Sequence, residues 1–208
     1  TGPMGLYSEQ LLPRAIDRML SAGEIMKYRG QITEGLHGEV VEIGFGSGLN
    51  CEKYPEAVAR VHAVDPHKVG RKLAADRVAA THVEVRYVGL DGQSLPLDDE
   101  SCDSALSTYT LCTIPDAGAA IREIRRVLRP GGAFHVLEHG LAPDDAVARW
   151  QHRLTPIQRR LGDGCHLNRD HDELLRDGGF EIESCEQWYA NGPKAFSRFY
   201  RIVARKPV

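Results

Sequence analysis

Residues 40–50 read Val40-Val41-Glu42-Ile43-Gly44-Phe45-Gly46-Ser47-Gly48-Leu49-Asn50. A short run of branched apolar residues, typical of a buried parallel strand, leads into three glycines at alternate positions. Glycine lets the backbone turn sharply and lets a ligand approach where a side chain would collide. The stretch therefore predicts a strand that ends in a ligand-binding loop, as in nucleotide-binding α/β proteins.

The spacing of the glycines and the position of Glu42 indicate which ligand this loop binds. Sites for NAD space their glycines as G-x-G-x-x-G and place the pyrophosphate at a helix N-terminus. Here the order is E-x-G-x-G-x-G. A carboxylate at the mouth of the loop would repel a pyrophosphate but attract a cationic amino group. S-adenosylmethionine carries such a group and has no phosphate, so we expect it to be the ligand in place of NAD.

Two further acidic residues follow short apolar segments downstream. Asp65 ends the segment 61–65, about twenty residues after the glycines, where a carboxylate can accept hydrogen bonds from both ribose hydroxyls. Asp91 follows a predicted strand at 83–88. It can accept a hydrogen bond from the adenine amino group, while Gly92 leaves room for the ring. The parts of a nucleoside site thus occur in a workable order.

Alternating strand and helix signals predict a mostly parallel sheet with helices on both faces. Further strands are predicted at 102–108, 133–137, 180–187 and 196–204, and helices at 11–28, 66–79, 117–128, 144–161 and 171–177. Pro156 predicts a break in the helix at 144–161. The ligand loops of such a sheet lie together at the carboxyl ends of its strands.

With Leu95-Pro96 and the segment R-V-L-R-P-G-G at 126–132, these elements resemble the class I S-adenosylmethionine-dependent methyltransferases over roughly residues 40–139. The resemblance implies a doubly wound, Rossmann-like, seven-stranded sheet whose last strand is antiparallel. It also implies S-adenosylhomocysteine as the product. The cofactor contacts that it implies are Glu42, Gly44, Phe45, Gly46, Gly48, Asn50, Asp65, Pro66, Asp91, Gly92 and Ser107.

The second half of the chain resembles a narrower group. Thr110-Leu111-Cys112-Thr113-Ile114, Glu138-His139, Trp150-Gln151 and the segment 163–169 look like the mammalian methyltransferase-like alkyl thiol S-methyltransferases. This similarity covers most of residues 40–205 and implies a small thiol as the methyl acceptor. Those relatives carry a hydrophobic N-terminal anchor. No comparable apolar segment occurs in this sequence, so we expect no integral membrane segment.

Two residues are candidates for catalysis. The resemblance to the class I methyltransferases implies that Thr108 lies beside the reactive methyl group, and His139 follows the fifth strand, where open parallel sheets place their chemistry. His139 can act as a general base, or it can hydrogen-bond a backbone carbonyl in the turn. Positioning supplies most of the catalysis in either case, because the sulfonium methyl is already a good electrophile. The candidate substrate contacts are Tyr7, Arg29, Tyr109, Cys112, Trp150 and His166, the last of which can also be an exposed loop histidine.

Composition restricts the function classes. A chain of 208 residues with 42% hydrophobic residues can bury the core of one domain. We expect that domain to span 4–208, with an N-terminal helical cap at about 4–35, after a tag remnant at 1–3. The net charge of −3 and the missing N/D-P-P-Y motif argue against nucleic acid as a partner. We expect a soluble, cytoplasmic protein that is a monomer or homodimer.

The five cysteines are scattered and form no C-x-x-C pair. This pattern predicts reduced thiols and no metal site. An arsenite methyltransferase needs several convergent thiols, and the sequence leaves open that Cys51 and Cys112 meet near the methyl group.

Other functions remain open at this point. Residues 149–161 combine arginines with Trp150, Ile157 and Leu161, either as a solvated helix face or as a surface for peripheral membrane contact. The second case would favour a phospholipid or quinone-type lipid methyltransferase. A noncatalytic cofactor-binding module is the alternative from another class.

Overall fold

The structure is a computed structural model, and it describes residues 12–208. Within that part of the chain, strands and helices alternate. The strands are β1 (Gly38–Ile43), β2 (Val58–Val64), β3 (Glu84–Gly89), β4 (Cys102–Thr108), β5 (Leu128–His139), β6 (Glu181–Tyr189) and β7 (Arg198–Arg205). The helices are α1 (Leu12–Leu20), α2 (Gly23–Thr33), α3 (Lys68–Ala80), α4 (Ala117–Val127), α5 (Asp145–Leu161), α6 (His171–Asp177) and α7 (Lys194–Ser197).

The strands form one sheet in the order β3-β2-β1-β4-β5-β7-β6. The pairs among β1 to β5 are parallel, whereas β7 runs antiparallel to both β5 and β6. The seven-stranded sheet with an antiparallel last strand is therefore confirmed. The strand order reverses between β1 and β4, so a crevice opens at their carboxyl ends, where such sheets bind ligands.

The central strands β1 and β4 are largely buried, as parallel strands covered by helices on both faces are. Val40 and Val41 of β1 have no exposed surface. On one face of the sheet, a core forms around Ile121 and Ile124 of α4. On the other, Ile32 of α2 packs in a second core with side chains of β1, β2 and α3. The sheet is thus held rigidly below the crevice.

Two expectations about the helices were wrong. The single helix expected at 11–28 is two helices, because Ala22 adopts an extended conformation between them and Ser21 Oγ donates to Arg18 O at 3.0 Å. The break expected at Pro156 is absent, since α5 continues through it to Leu161. Proline removes only one helical hydrogen bond, and Thr155 Oγ1 donates to Gln151 O at 2.8 Å. The short helix α7 was not expected.

Among residues 12–208, no helix combines the length and apolar character needed to cross a membrane.

The glycine loop that follows β1 is built of turns. Gly44 has φ +72°, a conformation that L side chains rarely adopt. A Cβ atom added there would lie 1.8 Å from Thr110 Oγ1, so a glycine is required where the loops after β1 and β4 touch. This contact closes the crevice floor between the two strands.

Candidate active site

A cavity of about 680 Å³ lies at the carboxyl ends of the central strands. Ile16 and Leu20 of α1 border it on one side, and Gly164, in the loop after α5, borders it on another. The N-terminal helical cap and the segment 163–169 were expected from the sequence, but Ile16, Leu20 and Gly164 were not among the candidate residues. The sequence-predicted residues that do border the cavity are Arg29, Gly44, Phe45, Gly46, Asp65, Pro66, Asp91, Gly92, Thr108 and Tyr109.

Asp65 stands at the end of β2 with its carboxylate already oriented. Its Oδ2 accepts a hydrogen bond from Gly46 N at 2.8 Å, and its Oδ1 accepts one from His67 N at 2.7 Å. A carboxylate has about four lone-pair sites, so it can still accept hydrogen bonds from a ligand. The imidazole of His67 also contacts Asp65, with Nδ1 3.5 Å from Oδ1, and this contact together with the charge of Asp163 raises the pKa of His67. His67 thereby links the loop after β2 to the loop after α5.

An apolar slot lies next to this carboxylate. A Cβ atom added at Gly92 would come within 3.4 Å of both Ile43 Cγ2 and Ile114 Cδ1, so the absence of a side chain keeps the slot open. Asp91 Oδ1 accepts hydrogen bonds from Gln93 N at 2.8 Å and from Gln93 Nε2 at 3.0 Å. This pairing fixes the Asp91 side chain at the rim of a slot suited to a flat ring.

Arg29 of α2 brings a positive charge to the opposite end of the cavity. The residue is only 4% exposed, and its Nη1 donates to Asn50 Oδ1 at 2.8 Å and to Thr108 Oγ1 at 2.7 Å. Its Nε has no hydrogen-bond partner in the part of the chain that the structure describes. Burial lowers the pKa of Arg29, but a guanidinium stays protonated in proteins. No carboxylate of residues 14–208 forms an ion pair with it, so its charge is available to an anionic ligand group.

Glu42 lies behind this network and does not border the cavity. Its Oε1 accepts a hydrogen bond from Asn50 Nδ2 at 2.9 Å, and its Oε2 accepts one from Tyr54 OH. Burial raises the pKa of Glu42 to about 7, although both hydrogen bonds and the charge of Arg29 act in the opposite direction. Three other cofactor candidates, Gly48, Asn50 and Ser107, also lie outside the cavity lining. Their roles as direct contacts stay predictions.

The raised pKa of Glu42 predicts a pH-dependent stability of the cofactor-free protein. Between its ordinary pKa of 4.5 and about 7, the folded protein holds a proton that the unfolded chain has released. Stability therefore falls as pH rises through this window. The free energy of unfolding of the wild-type protein should therefore fall between pH 5.5 and 7. We expect this fall to be smaller in Glu42→Gln by up to about 2 kcal/mol. Urea unfolding of both proteins across this range measures the difference.

Buried histidines change the stability with pH in the direction opposite to Glu42. The pH profile of the wild-type protein alone therefore does not isolate the effect of Glu42, and the comparison with Glu42→Gln is needed. Burial lowers the pKa of His171 to about 3, so its contribution falls as pH drops below 6.5. The variant His171→Gln removes this histidine contribution and serves as the reference. The fall in stability with rising pH that is due to Glu42 should remain in it. Identical pH profiles for the wild-type protein and Glu42→Gln would contradict the burial of a protonated Glu42.

The loop after β4 is held by a carboxylate that sequence reasoning did not assign. Glu138 Oε1 accepts hydrogen bonds from Ser107 Oγ at 3.0 Å, Thr110 N at 2.7 Å and Leu111 N at 2.8 Å. Tyr109 between them has φ +56°, and its buried hydroxyl has no hydrogen-bond partner among the described residues. Residues held in a strained backbone conformation of this kind cluster at functional sites.

His139 is not among the residues that border the cavity. Its Nε2 lies 2.9 Å from Cys165 Sγ and thus contacts a thiol where a backbone carbonyl was the alternative to a general-base role. Burial lowers the pKa of His139, but the interactions with Cys165 outweigh this effect and raise the pKa above its ordinary value. The general-base role of His139 stays a prediction.

The remaining substrate candidates do not meet at the cavity. Cys112 is buried beside Cys165 and Leu167, His166 Nδ1 lies 3.1 Å from Cys112 O, and Trp150 is 57% exposed. Tyr7 lies outside the described residues. Cys51, which was considered together with Cys112, packs in a different core. Among these candidates, only Arg29 and Tyr109 border the cavity.

Known proteins are similar to this chain in sequence and in fold. Residues 41–136 match a family described as a methyltransferase domain. Human thiol S-methyltransferase TMT1A is 30% identical over 84% of this chain and 70% of its own length. Human thiol S-methyltransferase TMT1B is 33% identical over 76% and 70%, respectively. A putative methyltransferase of Bacillus halodurans has a TM-score of 0.71 at 20% identity, with 89% of this chain and 100% of the other covered.

Sheet order, cavity position and these similarities define a class I methyltransferase that uses S-adenosylmethionine as its cofactor. Within that class, the chain belongs to the family that contains the thiol S-methyltransferases TMT1A and TMT1B. This membership favours an enzyme over a noncatalytic module, and it supports the inference from glycine spacing that the cofactor is not NAD.

Proposed function

We propose that this protein transfers the methyl group of S-adenosylmethionine to a small thiol. The observation that carries the proposal is the extent of the similarity to proteins named thiol S-methyltransferases. It covers 84% of the chain and so extends well beyond residues 41–136, which match the methyltransferase domain. Scaffold resemblance alone would leave the acceptor open, because one fold hosts many activities.

The cavity supports an orientation for the cofactor. Asp65 would accept hydrogen bonds from the ribose hydroxyls, and the slot at Gly92 would hold adenine, with Asp91 accepting from its amino group. The methionine part would then extend toward Thr108 and Arg29, where the guanidinium can bind the carboxylate group. The sulfonium methyl would lie near the end of β4, next to Tyr109.

The chemistry is an in-line displacement. A thiolate sulfur donates an electron pair to the methyl carbon, and the bond from that carbon to the sulfonium sulfur breaks, leaving neutral S-adenosylhomocysteine. The thiol proton is lost to solvent or to a base before the attack. A thiol has a reference pKa near 8.5, so a few per cent is thiolate at neutral pH. Orientation of the two reactants supplies most of the remaining rate enhancement.

A binding and turnover experiment tests the proposal. Calorimetric titration with S-adenosylhomocysteine comes first, followed on the same sample by methyl-transfer assays with alkyl thiols, phenols and amines. We expect binding together with turnover on thiols, at rates that rise with pH as the thiolate fraction rises. Binding with turnover only on phenols or amines would reject the thiol, and absence of binding would reject the site.

A second candidate acceptor rests on one surface feature. Trp150, Ile157 and Leu161 of α5 are each 57% exposed, and arginines such as Arg153, whose guanidinium carbon lies 5.8 Å from the centre of the Trp150 ring, accompany them. Apolar side chains beside positive charges suit an anionic lipid surface. Phosphatidylethanolamine in anionic vesicles is therefore included in the assay, and turnover only there would favour a lipid methyltransferase.

A cytoplasmic location and a monomeric or homodimeric state stay predictions.

A further inference from the structure

Three metal-ligating side chains converge behind the cavity. Cys112 lies in the loop after β4, His139 ends β5, and Cys165 lies in the loop after α5. Their ligand atoms all lie within 4.8 Å of one another, and the contact from His139 Nε2 to Cys165 Sγ is 2.9 Å. The sequence predicted no metal site because these residues are far apart along the chain and form no recognisable spacing. The fold alone brings them together.

The donor set has a clear chemical preference. Two thiolates and an imidazole suit Zn²⁺, with metal distances of about 2.3 Å to sulfur and about 2.0 Å to nitrogen. In a tetrahedral site these distances correspond to about 3.8 Å between two sulfurs and about 3.5 Å between sulfur and nitrogen. The observed distance from His139 Nε2 to Cys165 Sγ is 2.9 Å, and the two separations that involve Cys112 Sγ are at most 4.8 Å. Rotations of the side-chain torsions would bring the three atoms to the tetrahedral distances.

The surroundings favour a held site over a chance contact. Cys112 is 2% exposed and Cys165 is 6% exposed, and both pack with Leu154 and Leu167 in an apolar cluster. An apolar shell excludes water and strengthens the attraction between a cation and thiolates.

The backbone around the three residues is also fixed. His166 N donates to Cys112 O at 2.8 Å, which ties the loop after β4 to the loop after α5. His171 Nε2 lies 3.0 Å from His139 O, which anchors the end of β5. Ligands on segments that are held in this way lose little freedom on binding a metal.

We propose that Cys112, His139 and Cys165 bind one Zn²⁺ or a similar thiophilic divalent cation. Among residues 14–208, no fourth histidine, cysteine or carboxylate joins the group, so a water molecule or an added ligand would take the fourth position. Thr113 and Gly164, the chain neighbours of the two cysteines, border the cofactor cavity. The metal would thus brace the wall of that cavity from behind. The proposal does not depend on the identity of the methyl acceptor.

Metal titration tests this site without any assay of activity. The full chain is purified under reducing conditions, stripped with a chelator, and titrated with Zn²⁺ against a chromophoric chelator, and separately with Co²⁺. We expect one equivalent of metal per chain, and a thiolate-to-cobalt charge-transfer band whose intensity corresponds to two thiolates. Absence of stoichiometric Zn²⁺ and Co²⁺ binding would show a hydrogen-bonded cysteine–histidine cluster and overturn the proposal.

Cysteine variants identify the ligands. Cys165→Ser should lower the charge-transfer intensity by about half, because one of two thiolates is lost, and Cys112→Ser should do the same. Cys185→Ser is the matched control, since Cys185 is a free cysteine in β6 outside the cluster, and it should leave the spectrum unchanged. Equal spectra for Cys165→Ser and Cys185→Ser would exclude this ligand set. If a variant fails to fold, the wild-type cobalt spectrum alone still counts the thiolates.

Discussion

Asp65→Ala is expected to weaken S-adenosylhomocysteine binding by about 100-fold or more. The proposed orientation gives Asp65 two charge-assisted hydrogen bonds from the ribose hydroxyls, each worth about 1.5–3 kcal/mol. A loss of about 3 kcal/mol corresponds to about a 100-fold rise in Kd. Asp65 also accepts from Gly46 N at 2.8 Å, so the glycine loop loses an anchor in the same variant. Calorimetric titration measures the change.

Asp163→Ala provides the matched control. Asp163 borders the same cavity, but its side chain is 41% exposed and its carboxylate contacts His67 Nε2 at 3.3 Å. An exposed ion pair contributes about 1 kcal/mol or less, so we expect about a fivefold loss or less. An analogue of S-adenosylhomocysteine without ribose hydroxyls should lose much less affinity on Asp65→Ala than S-adenosylhomocysteine does, and the loss that remains measures the anchor of the glycine loop. Unchanged binding of S-adenosylhomocysteine itself in Asp65→Ala would refute the ribose assignment.

The scaffold could be predicted because its physical signals are local in sequence. A strand buried on both faces is rich in branched apolar residues, as β1 is at Val40 and Val41, and β4 was expected at its observed bounds, 102–108. Asp65 directly follows β2 and Gly92 lies shortly after β3, so the sheet itself carries both to the cavity. The split between α1 and α2 has no comparable signal, because Ser21 and Ala22 are compatible with a helix.

The rest of the site depends on contacts between distant segments. Arg29 reaches Thr108 across 79 positions of the chain, and although the sequence named both residues as candidates, it gave no sign that they pair with each other. Glu42 has the sequence position of a cofactor contact, yet Asn50 and Tyr54 enclose its carboxylate. His139 follows the correct strand, but its ring turns to Cys165. The direction of a side chain is decided by packing, which a motif does not encode.

Arg29→Met is expected to weaken S-adenosylhomocysteine binding by about 100-fold. The variant leaves the cofactor carboxylate without its cation in a buried setting, where losing one partner of a charge pair costs about 2–5 kcal/mol. The cofactor-free protein should be destabilised, because Asn50 Oδ1 and Thr108 Oγ1 lose a buried donor. We expect its free energy of unfolding to fall by about 1–3 kcal/mol. Urea unfolding checks that point.

A matched ligand separates the charge of Arg29 from its structural contacts. Decarboxylated S-adenosylhomocysteine lacks only the group that Arg29 is proposed to bind. Its affinity should be nearly the same for the wild-type protein and Arg29→Met, so the 100-fold difference should vanish with this ligand. Arg29 also donates to Asn50 and Thr108, and a purely structural role would weaken both ligands equally. Equal losses of affinity for the two ligands would therefore show that Arg29 supports the loop after β1 and does not bind the cofactor carboxylate. Another residue would then have to bind that carboxylate.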